Sequence, residues 1–180
     1  NLPREWIKKM KNCLIELAPV YNSHRMVQDY AKRAYIPAAE NFNSLVENEF
    51  ESARELAAWR IEIAKKWDSL SIRNVRSTAA KSLYVNQELE VSAEVYLNGL
   101  NPEEVRVEIY SGPLTPEGRF LSRSTSLMHP TEVTKAGWHV YQGKTRPQRS
   151  GRFGHTVRIM PHYPLLIDPH ALGLIHWAES

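Results

Sequence analysis

Leu89-Glu90-Val91-Ser92-Ala93-Glu94-Val95-Tyr96-Leu97 decides the fold of the larger part of this chain. Leu89, Val91, Ala93, Val95 and Leu97 alternate with Glu90, Ser92, Glu94 and Tyr96. Successive side chains of a strand point to opposite faces, so this period of two describes a strand with one face buried and the other in water. Asn98-Gly99-Leu100-Asn101-Pro102 then reads as a turn, and Val105, Val107 and Ile109 resume the alternation against Arg106, Glu108 and Tyr110.

Working outward, further strands are expected at 70–78, 119–128, 137–143, 151–160 and 172–178, separated by Gly- and Pro-containing turns such as Ser111-Gly112-Pro113 and Pro116-Glu117-Gly118. Seven short strands at this spacing predict an antiparallel, immunoglobulin-like β-sandwich over residues 67–180. The chain has one cysteine, Cys13, so no internal disulfide joins the two sheets and packing has to do so.

Upstream of Trp67 the period is that of a helix. Trp6, Met10, Cys13, Leu14 and Leu17 form one stripe over 3–18, and Pro19 ends that helix. A second helix is expected over about 24–36, capped by Asn22-Ser23, striped by Met26, Val27, Tyr30, Ala31, Ala34 and Tyr35, and ended by Pro37. A third, uninterrupted helix runs from about Ala38 or Asn41 to Lys66, with Phe42, Leu45, Val46, Phe50, Ala53, Leu56, Ala57, Ile61 and Ala64 as its apolar face. The fold class is therefore α+β by segregation, with a helical segment over 1–66 followed by the sandwich. The first 98 residues hold no glycine, whereas all eight glycines and eight of the eleven prolines lie at or after Gly99. The stripe from Leu45 to Ile61 is too long for the first two helices to cover. The expectation is that it packs on further chain, the present sequence being a piece of a longer protein. In the excised piece a second copy or the sandwich takes that place.

Composition excludes several classes of function. The 180 residues are 42% hydrophobic and 24% charged with a formal net charge of +3, as in an ordinary globular protein. Divided at Trp67, the first part carries 11 basic and 9 acidic residues and the second 12 and 11, so neither has the basic excess of a nucleic-acid binder. No stretch is apolar enough to span a membrane. A lone thiol, the absence of Asn-x-Ser/Thr sequons and the lack of a leader-like apolar stretch point to a cytoplasmic setting.

Three constellations bear on chemistry. Val133 to Ile167 contains no acidic residue but carries Lys135, Lys144, Arg146, Arg149, Arg152 and Arg158, the composition of an anion site. Arg152 and Arg158, however, fall six residues apart on one expected strand, about 20 Å, and read as its solvent face. Six histidines lie at or after His129, and His162, His170 and Asp168 are close enough in sequence to suggest a metal, but without helical His-x-x-x-His spacing or a cysteine partner. Trp138, Tyr141, Trp177, Tyr96 and Tyr110 are the aromatics suited to stacking on a sugar ring, although a strand tryptophan more often fills a core. Trp138 and Tyr141 are the candidate carbohydrate contacts. Gly151-Arg152-Phe153-Gly154 lacks the helix a phosphate loop needs, and no Gly-x-Ser-x-Gly elbow occurs. No catalytic, cofactor-binding or metal-binding residue is assigned.

Ser23-His24-Arg25-Met26-Val27-Gln28-Asp29-Tyr30-Ala31-Lys32-Arg33-Ala34-Tyr35 resembles the last helical segment of glycogen and α-glucan phosphorylases. The likeness to the bacterial and archaeal branch of that family continues through Glu55-Leu56-Ala57-Ala58-Trp59-Arg60, Lys66-Trp67, Gly99-Leu100-Asn101-Pro102-Glu103-Glu104-Val105-Arg106-Val107-Glu108, Val157-Arg158-Ile159-Met160-Pro161 and Gly173-Leu174-Ile175-His176-Trp177-Ala178. It extends from about Trp6 to Ala178. The resemblance implies a parent enzyme that transfers a terminal α-1,4-linked glucose to orthophosphate, giving glucose 1-phosphate, with pyridoxal phosphate bound to a lysine. The family's lysine motif and glycine-rich loop have no counterpart in this sequence. The resemblance thus makes 1–66 the tail of the catalytic C-terminal domain and the sandwich an accessory module. The expected partners are the rest of the phosphorylase chain, α-glucan, and a second copy.

Overall fold

A computed structural model describes residues 2–78, 84–134 and 136–179. The chain forms two compact units, Asn1–Ala53 and Arg54–Ser180.

The first unit is helical. α1 (Arg4–Leu17) and α2 (Ser23–Tyr30) fall where the apolar period puts them, and the Asn22 side chain caps α2 by accepting from the Arg25 amide at 2.8 Å. Pro37 does not end the helix, contrary to expectation. A π-helical turn at Ala31–Tyr35 precedes it, with the Ile36 amide reaching back five residues to the Ala31 carbonyl, and the chain continues directly into α3 (Ile36–Trp67). A widened turn takes up the amide that proline lacks and the bulk of its ring. The expected uninterrupted third helix is instead broken at Glu47–Phe50, where Glu47 is extended and Asn48, Glu49 and Phe50 have φ of 49°, 56° and 66°. No Gly or Pro marks that break. No described residue of this unit is buried: Trp6 is 62% exposed, Leu14 67% and Phe42 62%.

The second unit begins inside α3. Its buried helical residues are Trp59, Ile63 and Trp67, spaced i, i+4 and i+8, with Leu56 packed beside them. The expected stripe ran through Ile61 and Ala64, and both are exposed. Once the break at 47–50 resets the phase of the helix, the stripe upstream no longer predicts the face downstream.

Among the described residues eight strands follow: β1 (Ser71–Ser77), β2 (Leu89–Tyr96), β3 (Val105–Pro113), β4 (Ser124–Leu127), β5 (His129–Val133), β6 (Trp138–Thr145), β7 (Phe153–Pro161) and β8 (His176–Trp177). They make two antiparallel four-stranded sheets, ordered β1-β2-β6-β5 and β4-β3-β7-β8. The expected strand at 119–128 contracts to β4, and the chain crosses at buried Met128 into β5, a strand beyond the seven expected. The strand expected at 172–178 contracts to β8.

One core joins the sheets and the helix. Val91, Ala93 and Val95 of β2 meet Val107 and Ile109 of β3, Val157 and Ile159 of β7, Tyr141 of β6, and Ile63 and Trp67 of α3. Where a disulfide is absent, the buried Ser111 and Thr145 hydroxyls hydrogen-bond at 2.8 Å, tying β3 to β6 across the two sheets. The turn after β2 places Asn98 and Gly99 at φ of 47° and 76°, a conformation these two residue types adopt at little cost. Just beyond it the Glu104 carboxylate accepts from the Asn101 amide at 2.8 Å and from the Trp59 indole at 3.1 Å, which fastens α3 to the start of β3.

Candidate functional site

The two candidate carbohydrate contacts are placed very differently. Tyr141 is 2% exposed within the core, its hydroxyl has no hydrogen-bond partner, and burial pushes its pKa up to about 12. Trp138 is half-buried on the outer face of the first sheet, opposite Tyr96 in the β2–β6 register, with the rings 5.6 Å apart. The Arg73 guanidinium lies 3.7 Å over the Trp138 ring and also pairs with Glu94 at 2.8 Å. One face of Trp138 is therefore already covered by a cation, and Tyr141 offers no face at all.

The basic run does not converge on one point, although Arg146 and Arg149 border one small cleft together with Arg123. Lys135 lies outside the described residues. Lys144 pairs with Glu90 at 3.1 Å and Glu88 at 3.2 Å, Arg146 pairs with Glu88, and Arg152 donates to the Pro116 carbonyl at 2.8 Å. Arg158, expected on a solvent face, is buried: its Nε and Nη2 both donate to Oε2 of Glu108, at 3.0 and 2.7 Å. Glu108 is itself buried and also takes an ion pair from Arg106 at 2.5 Å.

This buried pair anchors a cluster that the sequence did not reveal. The registers pair Glu108 with Arg158 and Arg158 with Trp177, and the period of two puts Tyr110 on the same outer face of the second sheet. The Arg158 guanidinium lies 5.3 Å from the Tyr110 ring centre and 5.5 Å from that of Trp177, within cation–π range. Tyr110 meets both Trp177 and Phe120 edge-on, each at 5.1 Å. Phe120 arrives there because the segment after β3 returns on itself through a bridge between Leu114 and Phe120. Gly112 makes room for that return, since a Cβ at this position would run into the Ser122 carbonyl. The Arg123 Nη1 donates to the Tyr110 hydroxyl at 3.3 Å. Tyr110, Arg123, Arg158, His170 and Trp177 line a cleft of about 540 Å³. Trp177, which the strand argument assigned to the core, is 41% exposed. Alternation alone marks Tyr110 and Glu108 as outward-facing, but only the pairing register brings Arg158 and Trp177 beside them.

Two broader grooves carry no such cluster. One, of about 770 Å³, runs over the outer face of the first sheet past Arg76, Ser92, Gln142 and Lys144. The other, of about 590 Å³, lies by Glu104, Arg106, His129 and His162. Lys144 is the groove lysine, and Glu90 and then Glu88 hold its pKa above the usual value. A Schiff-base lysine needs the opposite shift, toward the neutral amine, so these residues do not fit pyridoxal phosphate. Among the described residues no group of three or more His, Cys, Asp or Glu is placed to hold a metal, the His162, His170 and Asp168 set included. No described helix is long and apolar enough to cross a membrane.

Comparison with known proteins agrees on one family. The chain is 30% identical over 176 residues to a glycogen phosphorylase of Mycobacterium tuberculosis, covering 97% of this chain and 20% of that protein. It is 32% identical over 176 residues to a maltodextrin phosphorylase of Thermococcus litoralis, covering 96% of this chain and 20% of that protein. The chain thus spans about a fifth of the length of the curated relatives it matches. The family model described as the glycogen phosphorylase C-terminal domain matches residues 67–179, the region that holds the eight described strands. By that match, over well more than half of its length, the chain belongs to the glycogen phosphorylase C-terminal domain family.

Proposed function

We propose that this chain is the C-terminal, itself non-catalytic part of an α-glucan phosphorylase whose whole chain transfers terminal α-1,4-linked glucose to orthophosphate, releasing glucose 1-phosphate. The observation that carries the reading is the family match over 67–179, supported by relatives named for glycogen and maltodextrin. The chain's own part is structural. The helical segment, 1–66, lends its apolar faces to the catalytic body, and residues 67–180 form an accessory sandwich held to the last turns of α3 through Trp59, Ile63 and Trp67.

The exposure of Trp6, Leu14, Met26 and Phe42 supports the first half of that statement, because a face so apolar is costly in water and calls for a covering surface. The occupant is the rest of the phosphorylase chain. The strand order supports an immunoglobulin-like sandwich for the second half. β1-β2-β6-β5 and β4-β3-β7-β8 correspond to the A-B-E-D and C-F-G sheets of that fold, with β4 as an added edge strand. Pyridoxal phosphate, which supplies its phosphate group for proton exchange with the substrate phosphate, belongs in this reading to the parent's remaining residues. A cytoplasmic parent fits the exposed, unpaired thiol of Cys13.

The test is phosphorolysis by the full-length protein. Incubated with maltoheptaose, it is expected to release glucose 1-phosphate only when orthophosphate is added. Release of glucose or maltose without phosphate dependence, or no reaction on any α-glucan, overturns the reading.

A further inference from the structure

We propose that the groove at the start of β3, where the chain crosses from β4 to β5, is the docking site for an extended, uncharged segment of the parent phosphorylase that lies outside these 180 residues. This rests on the phosphorylase reading above and gives the accessory sandwich a contact of its own with the catalytic body.

β3 loses one of its two neighbours at this point. It pairs with β7 along its whole length, Val105–Pro113, but with β4 only at residues 108–111. The Met128 amide adds one more bond, to the Val107 carbonyl at 2.9 Å, before the chain leaves for β5 in the other sheet. Alternate carbonyls of a strand point the same way, so the Val105 carbonyl faces the side that β4 has left. Continuing the β3–β4 register puts Pro130 opposite it, but Pro130 has no amide hydrogen and pairs instead with Tyr141 of β6. The opening that results, of about 590 Å³, is bordered by residues of both sheets, among them Val105, Leu127, Pro130 and Tyr141.

A second polar group borders the same opening without a partner. The Tyr141 side chain is 2% exposed, and its hydroxyl makes no hydrogen bond among the described residues. Burial keeps that hydroxyl protonated at neutral pH, so it remains a donor for a carbonyl. The other walls are largely apolar: Val105, Val107 and Met128 are buried, and Leu127, Pro130 and Pro164 are exposed. Of the charged residues on the border, Glu104 is engaged by Asn101 and Trp59, and Arg106 by Glu108. An extended backbone supplies what these walls lack, an amide for Val105 and a carbonyl for Tyr141, while its apolar side chains cover Leu127 and the prolines. A charged group there would be desolvated beside Tyr141 without a counter-charge. Two hydrogen bonds hold a free peptide poorly, but a tethered segment acts at an effective concentration on the order of millimolar. The chain covers only 20% of each relative, so in the parent most of the polypeptide is tethered to this module.

The test is carbethoxylation of His129 and His162 by diethyl pyrocarbonate, read by peptide mass spectrometry in the full-length protein and in the 180-residue chain. Both histidines are exposed in this chain and border the groove. The expected result is modification at least about fivefold slower in the full-length protein, the equivalent of one hydrogen bond. Two variants of the full-length protein recover most of the faster rate: Tyr141→Phe, which keeps the ring and removes the hydroxyl, and Leu127→Glu, which puts a charge on the apolar wall. Circular dichroism checks that each keeps its sheet signal, and if Leu127→Glu loses it, Tyr141→Phe alone decides. The proposal is overturned if both histidines react equally fast in the two proteins, or if the slowing survives both variants. It is also overturned if the 180-residue chain shows a slowing that grows with its own concentration, because a second copy is then the occupant. Phosphorolysis by the full-length protein separates the two levels: activity with equally reactive histidines removes the docking site and keeps the phosphorylase reading, and no activity removes that reading.

Discussion

Glu108 is the residue whose removal should be felt most in the sheet unit. Its carboxylate is 4% exposed and holds Arg158 through two hydrogen bonds at 3.0 and 2.7 Å and Arg106 through one ion pair. Glu108→Leu leaves the Arg158 charge buried between two aromatic rings with no counter-charge. Breaking a buried pair by deleting one partner costs about 3–5 kcal/mol, because the surviving charge is desolvated without compensation. At a urea dependence of about 2 kcal/mol per molar this moves the unfolding midpoint down by roughly 1.5–2.5 M. Arg158→Met costs less, about 1–3 kcal/mol, because Glu108 keeps its bond to Arg106. The double variant, Glu108→Leu with Arg158→Met, replaces the pair by apolar groups of similar size and is expected within about 1 kcal/mol of the parent, or above it. Urea titration followed by tryptophan fluorescence measures all four proteins as one cycle. A cost under about 1 kcal/mol for Glu108→Leu, or a double variant that loses the sum of the single effects, would mean that the buried pair does not hold this sheet.

Two further outcomes follow from the same core. Trp59→Ala removes a buried ring packed 4.8 Å from Tyr163 and bonded to Glu104, and is expected to cost about 3–5 kcal/mol, whereas Ile61→Ala on the exposed face stays within about 0.5 kcal/mol; equal losses in urea titration would reverse the helix-face assignment. Burial lowers the pKa of His155, so its ring is neutral in the folded state at a pH where the unfolded ring is already protonated. The unfolded state then binds more protons, and stability falls as pH drops through the unfolded value of about 6.5. Urea midpoints measured from pH 7.5 to 5.5 should show this decline, and His155→Gln should reduce it.

The strands were the most legible part of the sequence, because the burial alternation of β2 follows directly from Leu89 to Tyr96. β4 and β5 were not separable, since the change of sheet happens at Met128 without a turn residue to mark it. The helices were legible as elements but not in their joins. Pro37 signals a stop, and only the π turn before it shows how the chain passes through, while at the break over Glu47–Phe50 only Asn48 is of a type that favours positive φ, and a lone asparagine does not mark a helix end. The cleft was hidden for a related reason. Arg158 looks like a surface cation by alternation, and only its cross-strand partner Glu108 explains why it is buried. Register is a long-range property, and composition and local period do not carry it.

The measurement that tests the account most directly is amide hydrogen exchange across α1 and α2, in the 180-residue chain and in the full-length protein. Neither helix has a buried residue within this chain, and at 14 and 8 residues both are near or below the length at which a helix is stable alone. The account predicts fast exchange in the 180-residue chain and protection at least about tenfold greater in the full-length protein, where the apolar stripe from Trp6 to Leu17 is covered. Equal exchange rates in the two proteins would contradict it, because the helical face would then have no partner in the enzyme to which this chain is assigned.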